Sequence, residues 1–157
     1  MNKLLSNPYL VLMTRVFVGL LFIVSSIEKI ADPALFSRSI GNYGLLPVWS
    51  LMTIATVLPW LELLCGFAVL FGTGLRGSSF LLTAMLVVFT AAVVSALARG
   101  LDISCGCFTQ DPAAGRIGWT KVWQNASLVV LTVYLYYSQS TSYSLLSYFR
   151  NAADRQQ

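Results

Sequence analysis

Four long, nearly uninterrupted apolar stretches dominate this 157-residue chain, at about 9–28, 49–71, 78–98 and 119–137. Each approaches the ~20 residues that a helix rising about 1.5 Å per residue needs to cross about 30 Å of hydrocarbon. The runs are continuous and do not alternate apolar with polar, so spanning helices are expected in place of a membrane β-barrel. Charged residues make up only 10% of the chain, against about 25% in ordinary soluble domains, too few to clothe a globule of this size. The predicted fold is an all-α integral membrane protein. It is a four-helix transmembrane bundle over 1–137 with a short interfacial helix in its first long loop, followed by a polar and aromatic tail over 138–157.

Lys3 before the first stretch invites comparison with a signal peptide. The run is too long for such a segment, contains Arg15, and ends in Ser25-Ser26-Ile27-Glu28-Lys29 in place of a small-residue cleavage site. It is expected to remain as the first helix. Four crossings put both termini on one face together with the turn from Gly72 to Gly77. Arg76 in that short turn, with Asp154 as the only acid on the face, points to the cytoplasmic side of a bacterial inner membrane. The opposite, periplasmic face then carries two longer loops. The ten Lys and Arg residues outnumber six acids, but they are isolated and punctuate apolar runs, which excludes a clustered nucleic-acid surface.

The first of those loops carries a helix-start signal. Asp32 is a side-chain acceptor for free backbone N–H groups, and Pro33 loses nothing at the first helical position. Leu35, Phe36 and Ile40 then recur at helical spacing, predicting a short helix that lies in the interface and ends at Gly41. Trp49 suits the headgroup level at the start of the second stretch.

The chain contains no histidine, which removes imidazole haem ligation, the usual catalytic zinc sites and the commonest general base. Chemistry falls to the cysteines. Cys105 and Cys107 flank Gly106 in the second periplasmic loop, and two cysteines around one glycine can close a very small disulfide ring. Such a ring departs from relaxed geometry, and strain eases reduction, so the pair reads as a candidate redox centre. Two duller readings stay open: a metal ligand pair completed by a partner chain, or a passive loop feature. Cys65, inside the second stretch, reads as a small packed hydrophobe.

Ionisable groups at membrane depth normally pair or mark a pathway. Arg15 in the first stretch and Glu62 in the second, just after Pro59, are expected at similar depth when counted from the helix ends, and an Arg15–Glu62 ion pair is predicted. Glu62 is also a candidate proton-handling or cofactor-contacting group. Glu28 and Lys29 are expected at a solvated helix end. Trp119 and Lys121 read as interfacial anchors, whereas Asn125, further in, needs a partner helix or a bound carbonyl.

Arg15 with Gly19 and Phe22, Glu28-Lys29 with Asp32-Pro33, Tyr43 with Leu46-Pro47, Pro59-Trp60-Leu61-Glu62 with Gly66, Arg99-Gly100, Cys105-Gly106-Cys107-Phe108 and Asn125 together resemble the DoxX-like superfamily, in particular its methylamine utilisation MauE branch. The resemblance spans about residues 10–135. It implies a four-helix membrane protein concerned with periplasmic thiol and disulfide handling, in maturation of disulfide-rich enzymes such as methylamine dehydrogenase, beside a thioredoxin-like or disulfide-containing periplasmic partner. The leading expectation is a thiol-disulfide oxidoreductase in which Cys105 and Cys107 cycle between disulfide and dithiol. A quinone near Glu62, Arg15 and Asn125 is the simplest carrier of the electrons, and no metal is expected. The rival is a non-enzymatic membrane anchor or assembly subunit of an oxidoreductase complex. Membrane lipid is the other expected partner. The sequence does not specify the oligomeric state or the direction of electron flow.

Overall fold

A computed structural model describes residues 8–101 and 118–138. They form five helices: α1 (Pro8–Ala31), α2 (Pro33–Gly41), α3 (Val48–Phe71), α4 (Leu75–Ala98) and α5 (Trp119–Tyr137). Three of them are long and apolar enough to cross a membrane, over Tyr9–Ala31, Val48–Phe71 and Leu75–Ala98. At 24 residues α3 and α4 each extend about 36 Å, more than the hydrocarbon thickness. The helix expected over 119–137 forms with those bounds, but Lys121, Gln124, Asn125 and Ser127 dilute its apolar character, and α5 does not join the other three by that measure. The protein is an all-helical membrane protein with three such spans among the described residues.

Local signals set several boundaries. Asp32 caps α2, its Oδ1 accepting the Leu35 N–H at 2.9 Å, with Pro33 in the first turn as expected. α3 ends in a Schellman turn: Thr73 N–H donates to Ala68 O at 2.9 Å and Gly72 N–H to Val69 O at 3.2 Å. Gly72 takes the left-handed conformation, φ 74°, that this turn requires. α4 begins at Leu75, three residues earlier than its apolar run suggests, because Ser78 N–H already bonds Gly74 O at 3.0 Å. Arg76 therefore lies in the first turn of α4 and not in a loop.

α1 packs mainly on α3, and α4 mainly on α5, while α2 lies against α3. The α1–α3 contact is a close backbone approach. A Cβ added to Gly19 would lie 2.9 Å from Leu70 Cβ and 3.1 Å from Gly66 O, so the two antiparallel helices meet there with no room for a side chain. One core cluster runs through all four long helices and includes Val18 and Phe22, Cys65 and Val69, Leu82 and Leu86, and Leu128 and Leu135. Thr83 Oγ1 donates to Thr132 Oγ1 at 2.8 Å, joining α4 to α5. A second cluster, of Tyr43, Val93 and Ala96, lies at the end of the bundle where α4 finishes, with Val122 of α5 packed on it.

The outer surface is apolar as well. Met13, Leu64, Val88 and Val130 each expose about two-thirds or more of their area. In water this would be a large unsatisfied patch; in a bilayer it faces a solvent as apolar as itself. Between α3 and α4, which pack less closely on one another than on their other partners, a cavity of about 670 Å³ remains.

Candidate functional site

The Gly19 contact fixes the stagger of α1 and α3, and the stagger decides which ionisable groups meet. On α1 the buried positions Val11, Arg15, Val18, Phe22, Ser25, Ser26 and Lys29 form one stripe; on α3 Ala55, Pro59, Glu62, Cys65, Gly66 and Val69 form another. The spacing of three and four residues keeps each stripe on a single helical face. With Gly19 opposite Gly66 and Leu70, moving ten residues toward the end of α1 reaches Lys29, and moving back along α3 reaches Glu62.

There the two side chains make an ion pair. Lys29 Nζ donates to Glu62 Oε2 at 2.7 Å and to Oε1 at 2.9 Å. The two side chains are 2% and 3% exposed, so both charges are withdrawn from solvent and each is satisfied chiefly by the other. The ammonium also lies 5.1 Å from the ring centroid of Phe36 on α2 and 5.6 Å from that of Phe89 on α4, within reach of both ring quadrupoles. One cation thus gathers α1, α2, α3 and α4. Glu62 sits 14 residues into α3 from its first residue, about 21 Å along the helix, so the pair is deep.

This corrects the expected Arg15–Glu62 pair. Arg15 instead reaches the C-terminus of α3: its Nε donates to Val69 O at 3.1 Å and its Nη2 to Leu70 O at 3.1 Å. Val69 lies seven residues beyond Glu62, about 10 Å further along the axis. Carbonyls of a last helical turn have no partner within the helix and carry its negative dipole end, so a guanidinium is well placed there. A Cβ on Gly72 would overlap that guanidinium, which packs against the turn between α3 and α4. Lys29 is the other correction. Glu28 is exposed, as a solvated helix end should be, but Lys29 belongs to the buried stripe, a fact visible in its spacing from Val18 and Phe22.

Asn125 is 1% exposed on α5, and its Nδ2 has no hydrogen-bond partner among the described residues. Among the described residues two buried side-chain groups are left open in this way, the Asn125 amide and the Ser79 hydroxyl on α4, and either can donate to a carbonyl; Glu62 already accepts from Lys29, and Arg15 is engaged with α3. Cys65 is buried in the main core cluster, one turn from Glu62, as expected of a packed residue. Cys105 and Cys107 fall in 102–117, outside the described residues, as does the tail beyond 138. The bases of their segment are described. Leu101 follows α4 and packs with Val122 of α5 around Tyr43, Val93 and Ala96. No group of three or more potential metal ligands occurs among the described residues.

A family model for methylamine utilisation protein MauE matches residues 7–138, which is most of the chain and includes all five described helices. The chain belongs to the MauE family. Its MauE relatives include the methylamine utilization protein MauE of Methylorubrum extorquens, 30% identical over 128 residues that cover 81% of this chain and 68% of the relative. The MauE protein of Methylophilus methylotrophus is 28% identical over 136 residues, 86% of this chain and 72% of that protein. That of Paracoccus denitrificans is 27% identical over 134 residues, 85% and 72% of the two chains. No solved structure matches this MauE chain.

Proposed function

We propose that this MauE protein serves methylamine utilisation as a membrane thiol-disulfide oxidoreductase, exchanging disulfides with a periplasmic partner through Cys105 and Cys107. One observation carries the reading: the segment bearing Cys105-Gly106-Cys107-Phe108 joins α4 to α5 at the end of the bundle whose interior holds the Lys29–Glu62 junction. In this reading α5 is the fourth crossing, both termini are cytoplasmic, and the cysteine segment faces the periplasm of a bacterial inner membrane, a compartment where disulfides persist.

In the oxidising direction a partner thiolate attacks one sulfur of the Cys105–Cys107 disulfide, and the other sulfur leaves as a thiolate. The partner's second thiol then resolves the mixed disulfide. Its two thiols become a disulfide, and Cys105 and Cys107 become two thiols. Returning them to the disulfide releases two electrons and two protons, which a bound quinone would take up to become a quinol. Asn125 is the residue to hold a carbonyl of such a carrier, through its open Nδ2. Lys29 and Glu62 hold the surrounding helices in register.

The test is trapping in whole cells. Cys105→Ser or Cys107→Ser should accumulate a mixed disulfide with a periplasmic protein, visible on a non-reducing gel and lost on reduction. Asn125→Leu should leave the fold intact while slowing reoxidation of the dithiol. Absence of any mixed disulfide from both serine variants would rule out the exchange reaction. It would leave the second reading, a non-enzymatic anchor or assembly subunit. The strongly exposed Trp49, Trp119 and Trp123 favour that alternative as the surface of a docking rim.

A further inference from the structure

The cavity between α3 and α4 has a polarity gradient. Its body is lined by groups such as Leu46, Leu58, Ala84 and Ala91, none of which can donate or accept a hydrogen bond through its side chain. Ala84, Ala91 and Ser95 follow one another along the same face of α4, and the short alanine side chains leave the space open. At about 670 Å³ it lies within the range of ligand pockets, roughly 300–1,000 Å³. A void of that size beside lipid would forfeit dispersion contacts along its whole lining, so an occupant is favoured. A carbonyl or ring hydroxyl placed in the body would lose its hydrogen bonds. The body therefore suits a hydrocarbon chain and not a polar head.

The polar end is set by Arg99. Its Nη2 donates to the main-chain oxygen of Tyr43 at 2.6 Å and its Nε to that of Ser95 at 3.3 Å, and both residues line the cavity. A guanidinium has five N–H donors. The remaining three have no protein partner among the described residues, and Arg99 is exposed. This is a fork matched to a phosphate, at the end of an apolar slot that opens between two membrane spans.

We propose that this MauE protein binds one anionic phospholipid, with an acyl chain in the cavity between α3 and α4 and its phosphate on Arg99. The site is independent of the cysteine chemistry and would hold for a redox protein or an anchor alike.

The full-length protein, delipidated in mild detergent, should be titrated with dioleoyl phosphatidylglycerol and, separately, dioleoyl phosphatidylcholine, with bound lipid counted by native mass spectrometry. One phosphatidylglycerol should bind per chain, at least about tenfold more tightly than phosphatidylcholine. Arg99→Gln should weaken phosphatidylglycerol by roughly tenfold to a hundredfold, the usual effect of losing a charged hydrogen bond. Ala91→Trp, at an exposed helical position, should block both lipids while leaving the helical circular dichroism unchanged. Arg76→Gln, at the opposite end of α4, should bind as the unaltered protein does. The proposal is overturned if phosphatidylglycerol has no advantage, if Ala91→Trp binds it normally, or if the lipid that Ala91→Trp displaces from freshly purified protein is an isoprenoid. Should Arg99→Gln fail to fold, the lipid preference and Ala91→Trp decide the matter alone.

Discussion

Replacing Lys29 by methionine keeps the length of the side chain and removes its charge. It strands the Glu62 carboxylate at a site only 2–3% exposed. Truncating one partner of a buried pair costs about 3–5 kcal/mol. The lost contacts to Phe36 and Phe89 add about 0.5–2 kcal/mol each. Together these come to about 4–9 kcal/mol, and at ~2–4 °C per kcal/mol for a chain of this size the thermal midpoint should fall by roughly 8–36 °C. Glu62→Leu alone should cost about 3–5 kcal/mol, because it leaves a buried ammonium without its carboxylate while keeping the ring contacts. The double variant Lys29→Met with Glu62→Leu removes both charges together and should return to within about 2 kcal/mol of the original protein, since apolar replacement of a buried pair is often neutral or stabilising. The coupling energy from this cycle should exceed ~3 kcal/mol, whereas Arg15→Gln and Glu62→Gln should add within about 0.5 kcal/mol. Thermal melts in detergent, followed by tryptophan fluorescence, supply every term. If the single losses simply sum in the Lys29–Glu62 double variant, or if Arg15 proves the stronger partner of Glu62, the stagger of α1 and α3 described above is wrong.

Three further variants test other parts of the fold. Arg15→Gln should cost about 1–2 kcal/mol by leaving Val69 and Leu70 carbonyls without their cation. Gly72→Ala should cost at least as much, because its φ of 74° is strained for alanine and the new Cβ displaces the same guanidinium; melts of the two variants and their double mutant should reveal non-additivity. Burial at the end of the bundle pushes the Tyr43 phenol up to about 12, above its usual value near 10. The folded protein holds that proton more tightly than the unfolded chain, so its contribution to stability is intact below about pH 10 and is lost as pH rises toward 12. Alkaline unfolding should steepen in that window and flatten in Tyr43→Phe, with phenolate absorbance reporting the late titration.

Residue spacing alone determined the helical, membrane-embedded class, because long apolar runs have no other stable arrangement in lipid. It likewise determined α2, whose Asp32-Pro33 start is local chemistry, and it showed Asn125 as an amide in need of a partner. The ordered motifs around Glu62 and Cys105-Gly106-Cys107 were sufficient to indicate the MauE family. Pairing was not legible in the same way. Counting depth from helix ends treats α1 and α3 as if they began and ended together, but the close approach at Gly19 and Gly66 slides them, so that Lys29 meets Glu62 and Arg15 meets the end of α3. The cavity is equally a tertiary result. Ala84 and Ala91 are ordinary residues of an apolar run, and they line an open space only because α3 packs on α1 while α4 packs on α5. Apolar patterning specifies which faces are buried; the closest backbone contact specifies how far each helix slides along its neighbour, and that displacement chooses the partners of every buried charge.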